Sequence, residues 1–153
     1  MRRKIKKVAV LGAGVMGTGI AAHLANCGIP SVLLDIVPRP SEEDEKKGVD
    51  TSSPAFRNRL AVDSVKAALK NRKPIPAFYH DGFADLITCG NFDDHMEWLG
   101  ECDWVIEVVV ENIDIKRKVF ANVEKHMKAG AIISSNTSGL PIKGMVEGRS
   151  EAF

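Results

Sequence analysis

Apolar residues along this chain fall into two alternating patterns: short unbroken runs rich in β-branched side chains, and longer stretches in which they recur every three or four positions. Val8 and Val10 lie in the first run, residues 31–34 form the second, 86–90 the third, and 103–110, "DWVIEVVV", a fourth with a nearly unbroken apolar centre. "AIISSNTS" is a fifth, and its polar end is expected to leave the sheet. Runs of this length without polar alternation suit parallel strands covered on both faces. Between them, Val15–Asn26 carries the small and apolar residues of a buried helix, which Gly28 ends. After Pro54, Phe56, Leu60, Val65 and Leu69 recur at helical spacing until "NRKPIP" stops the helix. "DDHMEWL" reads as a short helix, and residues 113–127 place Ile115, Val119, Phe120, Val123 and Met127 on one stripe before Gly130 closes the element. "GLPIKGM" begins another short element. The polar stretch 38–54, "PRPSEEDEKKGVDTSSP", has no apolar periodicity and is expected to be a mobile surface loop. Strand and helix alternate throughout, which predicts one α/β domain over residues 1–153: a doubly wound, mostly parallel sheet with right-handed crossovers and a helical insertion after the second strand.

The first two runs frame a specific question. Arg2, Arg3, Lys4, Lys6 and Lys7 followed by the apolar start of residues 8–11 imitate a secretory leader. The glycines at 12, 14, 17 and 19, the interruptions at His23 and Asn26, and the carboxylate at Asp35 argue against it. Taken as strand, turn, helix and strand, the same residues make a βαβ unit of roughly thirty residues with "GAGVMG" at its turn and an acid about twenty residues on, the Rossmann-type dinucleotide arrangement. Gly12 permits the tight turn, Gly14 lets a pyrophosphate approach the backbone, and Gly17 lets helix pack closely on strand. Val15 and Met16 belong to the same phosphate-facing loop, where free amides and the helix dipole receive an anion without Lys or Arg. Asp35 can accept hydrogen bonds from both hydroxyls of the adenosine ribose and would repel a 2′-phosphate, which favours NAD over NADP; Arg39 nearby is the residue that a 2′-phosphate would want.

Composition narrows the partners. Lys plus Arg is 21 against 20 for Asp plus Glu, so no electrostatic case exists for nucleic acid as the main partner. No apolar run reaches membrane-spanning length. Cys27, Cys89 and Cys102 are odd in number and lack CxxC spacing, so a reduced, cytoplasmic setting is expected, with each thiol buried and no metal bound. Arg57, Arg59, Lys66, Lys70, Arg72 and Lys73 crowd the helix after Pro54; they are either a solvated face or a contact for a phosphorylated substrate.

"GAGVMGTGIA", Asp35, "VIEVVVENIDIKRKVF" and "SSNTSGLPI", in this order over almost the whole chain, resemble the NAD-binding domain of the 3-hydroxyacyl-CoA dehydrogenases of fatty-acid β-oxidation. The resemblance is closest to bacterial dehydrogenases whose longer chains also carry an enoyl-CoA hydratase-like region. It implies that the backbone of Val109 and Val110 together with Glu111 line the nicotinamide side of an NAD cofactor, that Lys116 reaches the same region, and that Met16 covers part of the dinucleotide. It further implies that Ser138 hydrogen-bonds near the 3-oxygen of a 3-hydroxyacyl-CoA substrate and the nicotinamide. The strand reading independently places residues 110–111 and 136–138, including Asn136, at strand carboxyl ends, where open α/β sheets bind ligands. Glu111 also stands where an acid suits the dipole of the helix that follows.

The implied reaction oxidises 3-hydroxyacyl-CoA to 3-ketoacyl-CoA and needs a general base. In the family that base is a histidine of an "HFFNP"-like segment. None of His23, His80, His95 and His126 stands in such a motif, so the base and the all-helical domain that completes pocket and oligomer are expected outside this sequence, with cofactor binding but no turnover within it. The intact protein is expected to be a homo-oligomer. Two other readings stay open: the nucleotide domain of another β-hydroxyacid dehydrogenase, which also opens with GxGxMG, and a non-catalytic NAD-sensing module.

Overall fold

A computed structural model describes residues 4–71, 75–151 and 153. Five strands, β1 (Val8–Leu11), β2 (Ser31–Asp35), β3 (Ile87–Asn91), β4 (Trp104–Glu107) and β5 (Ile132–Ser135), form one parallel sheet in the order β3-β2-β1-β4-β5. β1 is central and completely buried, and its period of two divides the core. Val8 and Val10 pack on one face with α1 (Val15–Asn26) and α4 (Arg59–Lys70). Ala9 and Leu11 pack on the other with Val123 of α5 (Ile113–His126) and with Met96 and Leu99. Because the connections from β1 and from β4 lead to opposite faces, the carboxyl ends of these two neighbouring strands part and leave a crevice.

α1 is short of large side chains where it meets the sheet; Gly17, Thr18, Ala21, Ala22 and Ala25 are buried. A Cβ on Gly17 would come within 1.8 Å of the Gly12 carbonyl oxygen, so the helix start and the glycine turn are in direct backbone contact. Gly28, at φ +72, ends the helix as predicted.

Several expectations are corrected. The stretch 38–54 contains α2 (Glu42–Lys46), whose Ser41 and Asp44 form a reciprocal capping box. Asp44 also receives both guanidinium arms of Arg59 at 2.7 and 2.8 Å, which ties the segment to α4. α2 has no buried residue, which is why apolar periodicity did not reveal it. The helix after Ser53 is divided at Asn58 into α3 (Pro54–Arg57) and α4. The "DDHMEWL" element is a 3-10 helix over Met96–Glu101, and an unforeseen 3-10 helix occupies Asp81–Leu86. The fourth strand stops at Glu107 and not at 110, and Val110 is 64% exposed. Cys27 is exposed where burial was expected; Cys89 is half-buried and Cys102 buried, and burial pushes both of these thiols up to about 11. α6 (Ile142–Met145) is the short element of "GLPIKGM". Arg2, Arg3, Arg72 and Lys73 lie outside the described residues. Among the described residues, no helix is long and apolar enough to cross a membrane.

Candidate cofactor crevice

The crevice begins where β1 ends. Gly12 donates to Leu34 O at 2.7 Å and turns away at φ +114; a Cβ there would lie 2.6 Å from Val108 O. The strand pair β1–β4 can therefore be bridged so closely only by glycine. Thr18 Oγ1 donates to Ala13 O at 3.0 Å and fixes the loop from the first turn of α1. Gly14 caps that helix without a side-chain bond, and a Cβ built on it meets nothing within 4 Å. Among the described residues no acceptor takes the amides of Gly14, Val15 and Met16. Open space, unpaired donors and the helix dipole coincide at this point, so the predicted task of Gly14, Val15 and Met16 fits the geometry. Val15 and Met16 are 91% and 56% exposed, large apolar surfaces standing free beside those amides.

Asp35 closes β2 on one side of the loop. Its carboxylate accepts from Ala13 N–H at 2.6 Å and Ile36 N–H at 2.7 Å, which orients it towards the glycine turn. Asp35, Gly12 and Gly14 line a cavity of about 370 Å³ with Ile36, Phe92, Val108, Val109, Val110 and Ile115. Apolar side chains make most of its wall and Asp35 and Lys118 are its charged residues, a lining that suits an adenosine. On the other side, Val15 and Met16 border a larger groove, about 630 Å³, together with Ser135 and Asn136. Only that end of the groove adjoins the crevice; the remainder runs beside α1 to His23 and Cys27. The glycine loop thus separates two hollows. Arg39 is exposed, and its carbonyl accepts from Arg59 Nη2 at 3.5 Å.

Beyond β4 and β5 a polar network joins three of the residues expected around the nicotinamide, Val109, Glu111 and Lys116, while Val109 and Val110 also line the Asp35 cavity. Glu107 and Lys116 are both fully buried, and Lys116 Nζ donates to Glu107 Oε1 at 2.7 Å and Oε2 at 2.9 Å. The ammonium also meets Val109 O at 3.4 Å and Glu111 Oε2 at 3.3 Å. Glu107 takes further hydrogen bonds from Val109 N–H at 2.7 Å and from the Ser135 hydroxyl. Glu111 accepts from the Thr137 hydroxyl and from Gly139 N–H at 3.2 Å; the Thr137 bond first, with the Gly139 amide and Lys116 adding to it, holds its carboxyl below the usual glutamate range. Ser138 is exposed between these two partners of Glu111. Lys116 therefore stands beneath the crevice, bound to residues that line it. Removing one partner of such a buried pair typically costs about 3–5 kcal/mol.

Asn112, not Glu111, caps α5, accepting from Asp114 N–H at 3.0 Å and Ile115 N–H at 3.1 Å. Glu107, Ser135 and Thr137 were not singled out by sequence reasoning. The signal for Glu107 was present: an acid inside "VIEVVV" must be paired if its strand is buried. The four histidines all have local roles or neighbours. His80 accepts from Gly82 N–H at 3.1 Å, His95 accepts from Asn91 N–H at 3.1 Å and packs on Trp98, His126 Nδ1 lies 2.8 Å from Asn122 O, and His23 lies 4.0 Å from Cys27 Sγ. Of the basic residues near α4, Arg57 is paired with Asp94 at 2.6 and 2.7 Å and Arg59 with Asp44, which supports an ion-paired face for those two.

The family described as "3-hydroxyacyl-CoA dehydrogenase, NAD binding domain" matches residues 7–152. A probable 3-hydroxyacyl-CoA dehydrogenase of Bacillus subtilis is 53% identical over 154 residues, covering 100% of this chain and 19% of that protein. A probable 3-hydroxyacyl-CoA dehydrogenase of Deinococcus radiodurans is 48% identical, covering 98% of this chain and 39% of that one. The crystal structure of (S)-3-hydroxybutyryl-CoA dehydrogenase PaaH1 from Ralstonia eutropha superposes with a TM-score of 0.63 at 29% identity over 94% of this chain and 44% of that chain. The chain thus spans less than half the length of each of these relatives.

Proposed function

The chain belongs to the family of 3-hydroxyacyl-CoA dehydrogenase NAD-binding domains, and from that premise we propose that it holds NAD for the oxidation of a 3-hydroxyacyl-CoA to the 3-ketoacyl-CoA within a longer protein. The observation that carries the reading is the pair of hollows meeting at an open glycine loop, with Asp35 at the rim of one and Asn136 beside the other. In this reading Gly14, Val15 and Met16 present amides to the pyrophosphate, and Asp35 takes the ribose hydroxyls and disfavours a 2′-phosphate. Glu111 and Asn136 line the nicotinamide side, with Lys116 holding Glu111 and the Val109 carbonyl from below; Val109 and Val110, expected on that side, border the Asp35 cavity. When bound, the nicotinamide supplies the hydride acceptor. Ser138 positions the substrate oxygen; an unassisted serine hydroxyl is too weak a base to take its proton at neutral pH.

The matched share of 19% of the Bacillus subtilis protein supports a domain that works inside a longer chain, where a base and a second domain complete the pocket and the oligomer. The cytoplasm is the proposed setting. NADH absorbance with 3-hydroxybutyryl-CoA tests this reading on residues 1–153 and on the longer protein. Turnover is expected only from the longer one. Turnover by residues 1–153 that Ser138→Ala abolishes would show that the reacting centre lies wholly inside this sequence.

A further inference from the structure

Three charged side chains meet below the nicotinamide half of the crevice: Glu107, Lys116 and Glu111. Two carboxylates and one ammonium leave one net negative charge. Both members of the Glu107–Lys116 pair are fully buried and in bidentate contact, so neither charge is dispersed by water. Glu111 is half-exposed, is held ionised by its hydrogen bonds, and lies 3.3 Å from the same ammonium. The trio is also rigidly placed. Glu107 is fixed by the Val109 amide and the Ser135 hydroxyl, and Glu111 by Thr137 and Gly139, so the charge cannot swing away from the loops on which it sits.

We propose that Glu107 is a positioning and selectivity residue: through Lys116 it fixes the loops at the ends of β4 and β5, and the residual negative charge of the Glu107–Lys116–Glu111 trio shifts cofactor affinity towards oxidised over reduced NAD. The inference rests on the cofactor reading above. The physical basis is the difference between the two ligands. They share the adenosine, the pyrophosphate and the carboxamide, but the oxidised ring is positive and the reduced ring neutral. A fixed charge close to that ring therefore acts on one form and not on the other, whereas a loss of shape weakens both. Lys118, which borders the adenosine cavity, contributes to the absolute affinities but is unchanged in every variant below.

The test is a set of dissociation constants for oxidised NAD, NADH and ADP-ribose, measured calorimetrically on the wild-type chain, Glu107→Gln, Glu107→Gln/Lys116→Met and Glu111→Gln. Glu107→Gln brings the trio to zero net charge. Affinity for oxidised NAD should fall relative to that for NADH by roughly three- to tenfold, the scale of one partly screened charge at crevice distances. The double variant restores one net negative charge, so its ratio should return to the wild-type value. If Glu107→Gln does not fold, Glu111→Gln decides: it removes the same charge from a half-exposed side chain and leaves the buried pair intact, so the ratio should fall equally. The proposal is overturned by an unchanged ratio in Glu107→Gln, or in Glu111→Gln where the first is unfolded. It is likewise overturned if the double variant keeps the ratio of the single one. A wild-type chain that binds none of the three removes the cofactor reading as well; ADP-ribose binding with insensitive ratios removes this inference alone.

Discussion

At Gly14 and Gly17 the same residue type does two different things three positions apart. Gly17 is closed in, with the Gly12 carbonyl oxygen 1.8 Å from where a Cβ would stand, whereas Gly14 faces open space in a backbone conformation, φ −68 and ψ −174, that any residue adopts. Gly17→Ala should therefore lower the melting temperature sharply and take cofactor binding with it. Gly14→Val should keep circular dichroism and melting close to wild type while abolishing NADH binding, because its side chain fills space meant for ligand and not for core. An unfolded Gly14→Val would reassign that glycine to the fold. Asp35 is the third position. Asp35→Ala should weaken NADH by about 1–3 kcal/mol, the usual loss for charge-assisted hydrogen bonds, and should erase most of the preference over NADPH. Unchanged fluorescence titrations would show that the carboxylate serves only the Ala13 and Ile36 amides.

Among the elements, those that bury a face were legible in the sequence and those that do not were missed. α1 and the five strands lie where apolar patterning placed them, to within a residue or so at most ends, since burial selects both the run and its length. α2 escaped because it is polar all round and rests on a capping box and the Arg59–Asp44 pair. The apolar pattern runs three residues past the end of β4 because "VVV" continues it; those valines line the cavity, and apolar surface offered to a ligand looks the same in sequence as surface offered to a core. The candidate site was legible in its glycines, Asp35 and the residues at strand ends, whereas the pairing of Lys116 with Glu107 was not, since contact between β4 and α5 is a property of the assembled sheet.

Acidity tests the elements separately from the site. Asp103 anchors the entry to β1 and the end of α5 by accepting from Lys128, from Lys6 N–H at 2.7 Å and from Lys7 N–H at 3.2 Å, and these bonds, Lys128 first, hold its carboxyl down to about 2. Asp94, bonded first to Arg57 and then to Asn91, is likewise held at about 2. Both are lower in the folded state than in the unfolded chain, where an aspartate titrates near about 3.9. Their contribution is therefore complete above that value and is lost as pH falls from about 4 towards 2. Asp103→Asn should melt lower than wild type at pH 7, and the gap should close near pH 2. An equal gap at both pH values would mean that the carboxylate charge adds nothing to holding these elements together.

For the molecule as a whole, the sheet order β3-β2-β1-β4-β5 sets a single switch point between β1 and β4, and the glycine loop, Asp35 and the Glu107–Lys116–Glu111 trio all gather round it. The fold and the proposed chemistry therefore share one origin: connections to opposite faces open the crevice, and the residues at the strand ends furnish it. The central claim is that this crevice receives NAD in one orientation, adenosine ribose on Asp35 and pyrophosphate on the amides of residues 14–16. The most direct measurement is a pair of fluorescence titrations of residues 1–153 with NADH and with NADPH in the same buffer. Saturable NADH binding, clearly tighter than that of NADPH, is the predicted result. Equal or tighter binding of NADPH, or no saturable binding of either, would contradict it.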